Sequence, residues 1–282
     1  MLYYSQDVAN ETGMTTEGLR YYEKKGLVRF DKDSKNGYRT YPIMQVPLLR
    51  MVKILNTYGV PLNEVESLIH SGENEAEELS GILRQKCEEM EQKVWREQRI
   101  LERLKEHNAI LRRVVESPES LWFVRQEEMC YLEYYGAQRL RRDNALKEEL
   151  GRWLAQMPIT YPMPVLHREE LEEDKPYCPA GVMVRRADME RLGLAEGKYT
   201  RRIAGGQFLC SISIQKEKER IQAKEAAQPL LEAVRDMNLR LAGDIFFMSV
   251  AAAEPSPAQT LICYQVMAPV EAGPVSSSPD GE

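Results

Sequence analysis

Residues 19–27 read LRYYEKKGL and residues 36–41 read NGYRTY, and what flanks these two runs decides the fold. Upstream, Ser5 to about Glu11 has the pattern of a short helix burying Val8 and Ala9, with Ser5 as its N-cap candidate and Gly13 supplying the turn after it. Thr15 can cap a second helix that runs through EGLRYYEKK to Gly26, which is a helix-turn-helix spacing. In that helix Leu19 and Tyr22 share the packing face, while Glu17, Arg20, Tyr21 and Lys24 share a neighbouring one. Downstream, VRFDKDSKNGYRTY gives two strand-like runs about Asn36-Gly37, a dipeptide that supports a tight hairpin because both positions accept positive φ. This hairpin reads as a wing that presents Arg39 with two tyrosines, and guanidinium and phenol groups can hold phosphate oxygens.

The formal net charge of −6 argues by itself against a nucleic-acid partner. Its distribution argues the other way: Met14 to Lys53 holds nine basic residues and four acidic ones, a local excess of five positive charges. Pro47 falls in IMQVPLLRMVKIL, the expected third helix, where it either kinks the helix or marks a later start.

The two quoted runs resemble the signature of MerR-family transcriptional regulators, over about the first 70 residues. The resemblance implies that Arg20, Tyr21 and Arg39 touch the DNA backbone and groove, with Tyr3, Lys24 and Tyr38 in support and Tyr22 kept in the core; Thr16 and Glu17, at the start of the same helix, complete the DNA-facing candidates. The chain departs from the family pattern at Glu17, Gly18 and Thr40. Glu17 is repulsive in a phosphate-lined groove unless it accepts from cytosine N4, and Gly18 costs about 0.5–1 kcal/mol in a helix interior.

Residues 73–116 contain no proline, and Gly81 is the only helix breaker among them. Their seam runs through Leu79, Leu83, Lys86, Met90, Val94, Glu97, Leu101, Leu104, Asn108, Leu111 and Val115 in steps of three and four, with a stutter at Lys86–Met90–Val94. Such a helix is on the order of 65 Å long, too long to bury itself on a small head, so a second subunit is its natural partner. A solvated charged linker is the bland alternative; an apolar seam along the whole helix favours the dimer.

Ser117-Pro118 ends this helix. Beyond it come a strand over LWFVRQEEMCYLEYYG (121–136), a helix from about Arg139 to Gln156, strands near Pro164–His167 and Gly181–Arg186, a turn-rich stretch and a strand over Gln207–Ile214. A helix from Glu217 to Asn238 and strands at Asp244–Val250 and Thr260–Met267 follow. This is an α+β layout of two similar halves, and it resembles the GyrI-like effector domain of drug-responsive MerR relatives. The resemblance implies an aromatic pocket between the halves for bulky hydrophobic, often cationic compounds, commonly with a late buried Glu. The matching strand here, GDIFFMSV, offers no carboxylate beyond Asp244 at its edge. Candidate pocket residues are Tyr131, Glu133, Tyr135, Tyr161, Phe208, Phe246 and Tyr264, and the expected effector is hydrophobic, neutral or weakly cationic.

The expected architecture is therefore α+β multidomain: a winged helix-turn-helix DNA-binding head over 1–72, a coiled-coil dimerisation helix over 73–117, a two-repeat effector-binding domain over 118–270 and a disordered tail over 271–282. The expected function is that of a ligand-responsive homodimeric regulator that distorts a pseudo-palindromic promoter, with RNA polymerase as the partner the resemblance implies. The rival readings are a GyrI-like hydrolase or a small-molecule-sequestering protein carrying a DNA-binding head, or a plain interaction protein. Against an enzyme, His70, His107 and His167 lie in separate segments with no Ser or Cys at a motif spacing. Five scattered cysteines without a CxxC pair suit reduced thiols better than disulfides or a metal site, so neither a metal nor another cofactor is expected. The start shows no secretion signal and no stretch approaches the roughly 18 apolar residues of a span, so the expected place is the cytoplasm, away from membranes.

Overall fold

Residue 4 carries the first departure from the expected boundaries. In the computed structural model, which describes residues 2–70, 75–134, 143–172, 178–217, 222–256 and 259–273, Leu2–Tyr4 forms a strand, β1. Tyr4 keeps extended geometry as the N-cap, so α1 (Ser5–Thr12) begins directly at Ser5. Its opening is stabilised by the Asp7 carboxylate, which accepts the Tyr4 backbone N–H at 3.0 Å. The cap is thus Tyr4 rather than Ser5, because the strand pairing ends at Tyr4, opposite Thr40, and the extended chain stops one residue earlier than expected. Gly13, at φ +60°, ends the helix.

Thr15 Oγ1 accepts the Gly18 N–H at 3.0 Å and opens α2 (Thr16–Lys24). Gly18 therefore sits in the capped first turn, where its cost is smaller than in a helix interior. β2 (Asp31–Lys32) and β3 (Arg39–Pro42) form the wing, and β1 joins them in the order β1-β3-β2. The turn is wider than a two-residue hairpin. Asp33 and Tyr38 close it through a 2.8 Å backbone hydrogen bond, and of the Asn36-Gly37 pair only Gly37 takes a positive φ. Asn36 contributes instead through its side chain, which accepts the Tyr38 N–H at 2.9 Å.

Pro47 is the third residue of α3 (Gln45–Thr57), in the turn whose amides have no intrahelical partner, so it neither kinks nor breaks the helix. α4 (Leu62–His70) and α5 (Glu75–Glu116) follow. The chain divides into two compact units, Met1–Trp95 and Arg96–Glu282, and the division falls inside α5. Among the described residues, the first unit has two core clusters. One gathers Val8, Leu19, Val28, Tyr41, Val46 and Leu49; the other gathers Leu27, Val52, Leu55, Val60 and Val65, with Leu79 and Leu83 of α5 against it. Tyr22 packs against both, a core residue as expected.

The second unit is built on antiparallel strands. Its elements are β4 (Trp122–Gln126), β5 (Met129–Tyr134), α6 (Asn144–Leu154), β6 (Tyr161–Leu166), β7 (Ala180–Arg185), β8 (Thr200–Ile203), β9 (Gly206–Glu217), α7 (Ala223–Asp236), β10 (Leu239–Leu241), β11 (Ile245–Ser256) and β12 (Gln259–Ala272). The single strand expected over 121–136 is two: β4 pairs with β9 and β5 with β7 and β8, with Glu127-Glu128 between them. The order among the described residues is β4-β9-β12-β11-β6-β7-β5-β8, with β10 on β12. Within it β5-α6-β6-β7 lies as β5-β7-β6 and β9-α7-β11-β12 lies as β9-β12-β11, and β6 and β11 pair antiparallel at the centre.

Period-two alternation assigns the two faces. Phe208, Cys210, Phe246, Met248 and Met267 face the side where Ile110 of α5 packs, while Leu209, Phe247, Val266 and Ala268 face Ala226, Leu230 and Val234 of α7. Gly181 is required by this packing, since a Cβ there would lie 2.2 Å from Tyr131 Cζ and 2.6 Å from the Leu132 carbonyl oxygen. The expected tail loses its first residues to β12, which runs to Ala272; residues 274–282 lie outside the described ones.

Candidate functional site

On α2 the side chains of Arg20, Tyr21 and Lys24 are exposed, with Thr16 half-buried at the first helical position. Glu17 is in the first turn, where the helix dipole favours a carboxylate, which gives it a structural role independent of any groove. Lys25 Nζ stands 6.0 Å from the centre of the Tyr21 ring. Tyr38 is exposed on the wing, whereas Tyr3 is partly buried against the first core cluster.

Arg39 is fixed by contacts that the sequence reading did not include. Its Nε donates to Glu23 Oε2 at 3.1 Å, and its guanidinium lies 4.8 Å over the Phe30 ring. Glu23 is only 6% exposed, against 39% for Arg39, and its other oxygen accepts from the Tyr41 hydroxyl, which is itself 3.3 Å from Ser5 Oγ. Burial, reinforced by the Glu23 hydrogen bond, pushes the Tyr41 phenol up to about 12. Arg39 Nη1 and Nη2 have no hydrogen-bond partner among the described residues, so the end of the guanidinium is held in place and unspent. Two bases of the counted patch are used inside the head instead. Lys53 Nζ donates to the carbonyls of Thr12 and Gly13 at 3.1 and 2.8 Å, and Arg50 donates to the Glu11 carbonyl at 3.0 Å and to its carboxylate at 2.6 Å. Both cap the end of α1.

In the second unit, a cavity of about 390 Å³ lies between α5 and the sheet, with Arg103 and Arg113 on its helical wall and Trp122, Arg125, Tyr161 and Met163 among its strand residues. Arg103 stacks on Tyr161 at 3.9 Å and Arg113 on Trp122 at 4.7 Å. Of the seven expected pocket residues, Tyr161 lines this cavity. Tyr131, Phe208 and Phe246 are fully buried on the same face of the sheet, and Tyr264 is on the opposite face, edge-on to Phe247. Tyr135 lies outside the described residues.

Comparison with known proteins bears on the head. Residues 3–71 match the family model described as MerR HTH family regulatory protein. Over 64 residues, 23% of this chain and 46% of the other, it is 39% identical to the HTH-type transcriptional regulator CueR of Salmonella typhi. Over 63 residues, 22% of this chain and 48% of the other, it is 33% identical to the mercuric resistance operon regulatory protein of Bacillus cereus. The chain thus spans about half the length of the curated relatives it matches. A cryo-EM structure of an EcmrR–DNA complex aligns with 96% of this chain and 100% of its own at 15% identity and a TM-score of 0.38.

In the second unit, Glu133 belongs to a charged network rather than to the cavity. His167 stands between two carboxylates, its Nδ1 3.2 Å from Asp244 Oδ2 and its Nε2 3.4 Å from Glu133 Oε1. Arg201 completes the ring, 2.5 Å from Asp244 and 3.4 Å from Glu133, with its guanidinium 5.0 Å over Tyr131 and 5.9 Å over Phe246. Hydrogen bonding to Asp244, then to Glu133, lifts His167 to about 9. Burial alone would raise Asp244, but His167, the Arg168 amide and Arg201 outweigh it and bring the carboxyl down to about 2. The cysteines are dispersed: Cys87 is exposed, while burial pushes Cys178 and Cys210 up to about 12, leaving them as thiols at neutral pH. Among the described residues no group of three His, Cys, Asp or Glu side chains converges in a metal-binding arrangement, and no helix is long and apolar enough to cross a membrane.

Proposed function

We propose that this chain is a ligand-responsive transcriptional regulator that acts in the cytoplasm, binds a pseudo-palindromic promoter as a homodimer and changes transcription by distorting the DNA bound beneath RNA polymerase. The observation that carries this reading is the MerR-family head, in which an exposed basic face of α2 and a wing arginine are tied together by Glu23. The relatives matched over that head are transcriptional regulators by name. Arg20, Tyr21, Lys24, Tyr38 and Arg39 are the proposed backbone and groove contacts. Thr16 and Glu17 stand at the helix N-terminus beside them, and Tyr3 supports β3 as its paired neighbour in the sheet, opposite Tyr41.

Residues 73–117 serve as the dimer helix and 118–270 as a two-repeat effector-binding domain. The common strand order of β5-β7-β6 and β9-β12-β11 supports the second assignment. α5 forms one wall of the cavity and is tied to its own unit by Arg99–Asp188 at 2.9 Å, Arg185–Glu106 at 2.8 Å and His107–Val250 carbonyl at 2.7 Å. A ligand that fits one placement of this helix better than another shifts the equilibrium between them, whereas equal fit shifts nothing. A hydrolase finds less support among the described histidine side chains: His107 is bound to a backbone carbonyl, and His167 is held protonated between carboxylates.

Gel shift and footprinting of the full chain on its own upstream DNA, across a salt series, test the reading. A symmetric footprint whose affinity falls steeply with salt is expected. Salt-independent or absent binding, to that DNA and to a random-site library alike, overturns it.

A further inference from the structure

Glu133 and Asp244, the two carboxylates beside the buried rings of the second unit, are already neutralised. Glu133 and Asp244 are both shared by His167 and Arg201, and Arg201 covers the rings of Tyr131 and Phe246 as a bound cation would. The chain supplies its own positive charge there.

The cavity between α5 and the sheet has the opposite bias. Four arginines line it, Arg103, Arg113, Arg125 and Arg185, against two acids, Glu106 and Glu127. Glu106 is consumed, one oxygen 2.5 Å from Arg103 and the other 2.8 Å from Arg185. Arg113 and Arg125 have no carboxylate partner among the described residues; Arg113 rests on the face of Trp122. Behind these charges the lining turns apolar and adaptable, with Tyr161, Met163, Met248 and Met267. A volume of about 390 Å³ is within the range of small-molecule sites.

We infer that this cavity takes an amphipathic organic anion, with its acid group between Arg113 and Arg125 and its aromatic or aliphatic body against Trp122, Tyr161 and the methionines. The inference rests on the reading of residues 118–270 as an effector-binding domain and assigns the charge of the effector, which the sequence pointed towards neutral or cationic.

Three probes of one shape and three charges test it on the full chain: 2-naphthylacetate, its neutral amide, and 2-(2-naphthyl)ethylammonium, each titrated by calorimetry and by tryptophan fluorescence. The carboxylate is expected to bind at least tenfold more tightly than the amide and the ammonium weakest. In the double variant Arg113→Gln/Arg125→Gln the carboxylate falls to the level of the amide while amide binding is retained, which also reports that the cavity remains folded. Tighter binding of the ammonium, or a charge preference unchanged in the double variant, overturns the inference while leaving an effector domain standing. Binding of none of the three at millimolar concentration overturns both. DNA footprinting of the same preparations reports separately on the head.

Discussion

Glu23 Oε2 and Arg39 Nε stand 3.1 Å apart, joining the second helix of the head to its wing. The carboxylate serves Tyr41 with its other oxygen, so one nearly buried side chain sets both the position of the wing strand and the aim of the arginine on it. Glu23→Ala leaves a buried hydroxyl without its acceptor, which costs about 1–3 kcal/mol. It is expected to weaken DNA binding although Glu23 carries the wrong charge for a phosphate contact. Thermal melts and gel shifts of the same variant check this; binding that tightens on removal of the negative charge would count against a positioning role.

The basic residues of the head divide into those that face solvent and those that cap α1, and salt dependence separates them. Arg20→Ala and Arg39→Ala are each expected to reduce the slope of log affinity against log salt by about 1, on specific and non-specific DNA alike. Lys53→Met is expected to leave that slope unchanged and to lower stability by about 1 kcal/mol, since it removes the donor to the Thr12 and Gly13 carbonyls. A salt series on the three variants decides; a shallower slope in Lys53→Met returns that lysine to the phosphate contacts.

What was legible in the sequence was local. Thr15, Gly13 and the 19–27 run mark their own helices, because caps and three-to-four spacing act within a turn or two. β1 was missed because three residues are too few to display a two-residue period and its partner β3 lies some forty residues on. Glu23 was counted as one acid among bases, and only the folding of the wing onto α2 reveals that it anchors Arg39. In the second unit, strand patterns located the aromatics without telling which face each would take: Phe246 and Phe247 are neighbours in sequence and sit in different cores. Arg201 gave no signal at all, since its partners come from β5 and from the approach to β11.

The ring of His167, Glu133, Asp244 and Arg201 makes stability depend on pH, with a sign fixed by two shifts. His167 is raised from 6.5 to about 9, so its contribution is complete below 6.5 and is lost as pH rises through 9. Asp244 is lowered from 3.8 to about 2, so its contribution is present above 3.8 and is lost as pH falls through 2. The melting temperature should therefore be highest between about pH 4 and 6.5 and decline towards pH 9, by an amount corresponding to about 3 kcal/mol for the histidine shift. His167→Gln should flatten the alkaline limb. An alkaline decline of the same depth in that variant would assign it to other groups.

Leu104 is 63% exposed and Val115 83% exposed, and Leu101, Met90 and Val94 are exposed as well, an uncovered apolar row on a helix whose other side is already committed. Arg99, Arg103, Glu106 and Ile110 of α5 meet their own unit through ion pairs, a stacked ring and the core, and Leu79 and Leu83 are taken up by the head. The row from Met90 to Val115 is what remains of the expected seam. Covering it with the same row of a second copy removes apolar area from water on both chains, and full burial of a leucine is worth about 1.5–3 kcal/mol. Leu101→Glu/Leu104→Glu should therefore convert a dimer into a chain of 32.5 kDa, by light scattering or sedimentation, while the charged network and the cavity keep the melting profile of their unit. DNA affinity should fall with the dimer, since each head alone reads half of a symmetric site. A wild-type chain that sediments as a monomer, or a double variant that remains a dimer, would place the contact between copies elsewhere and leave this row without a partner.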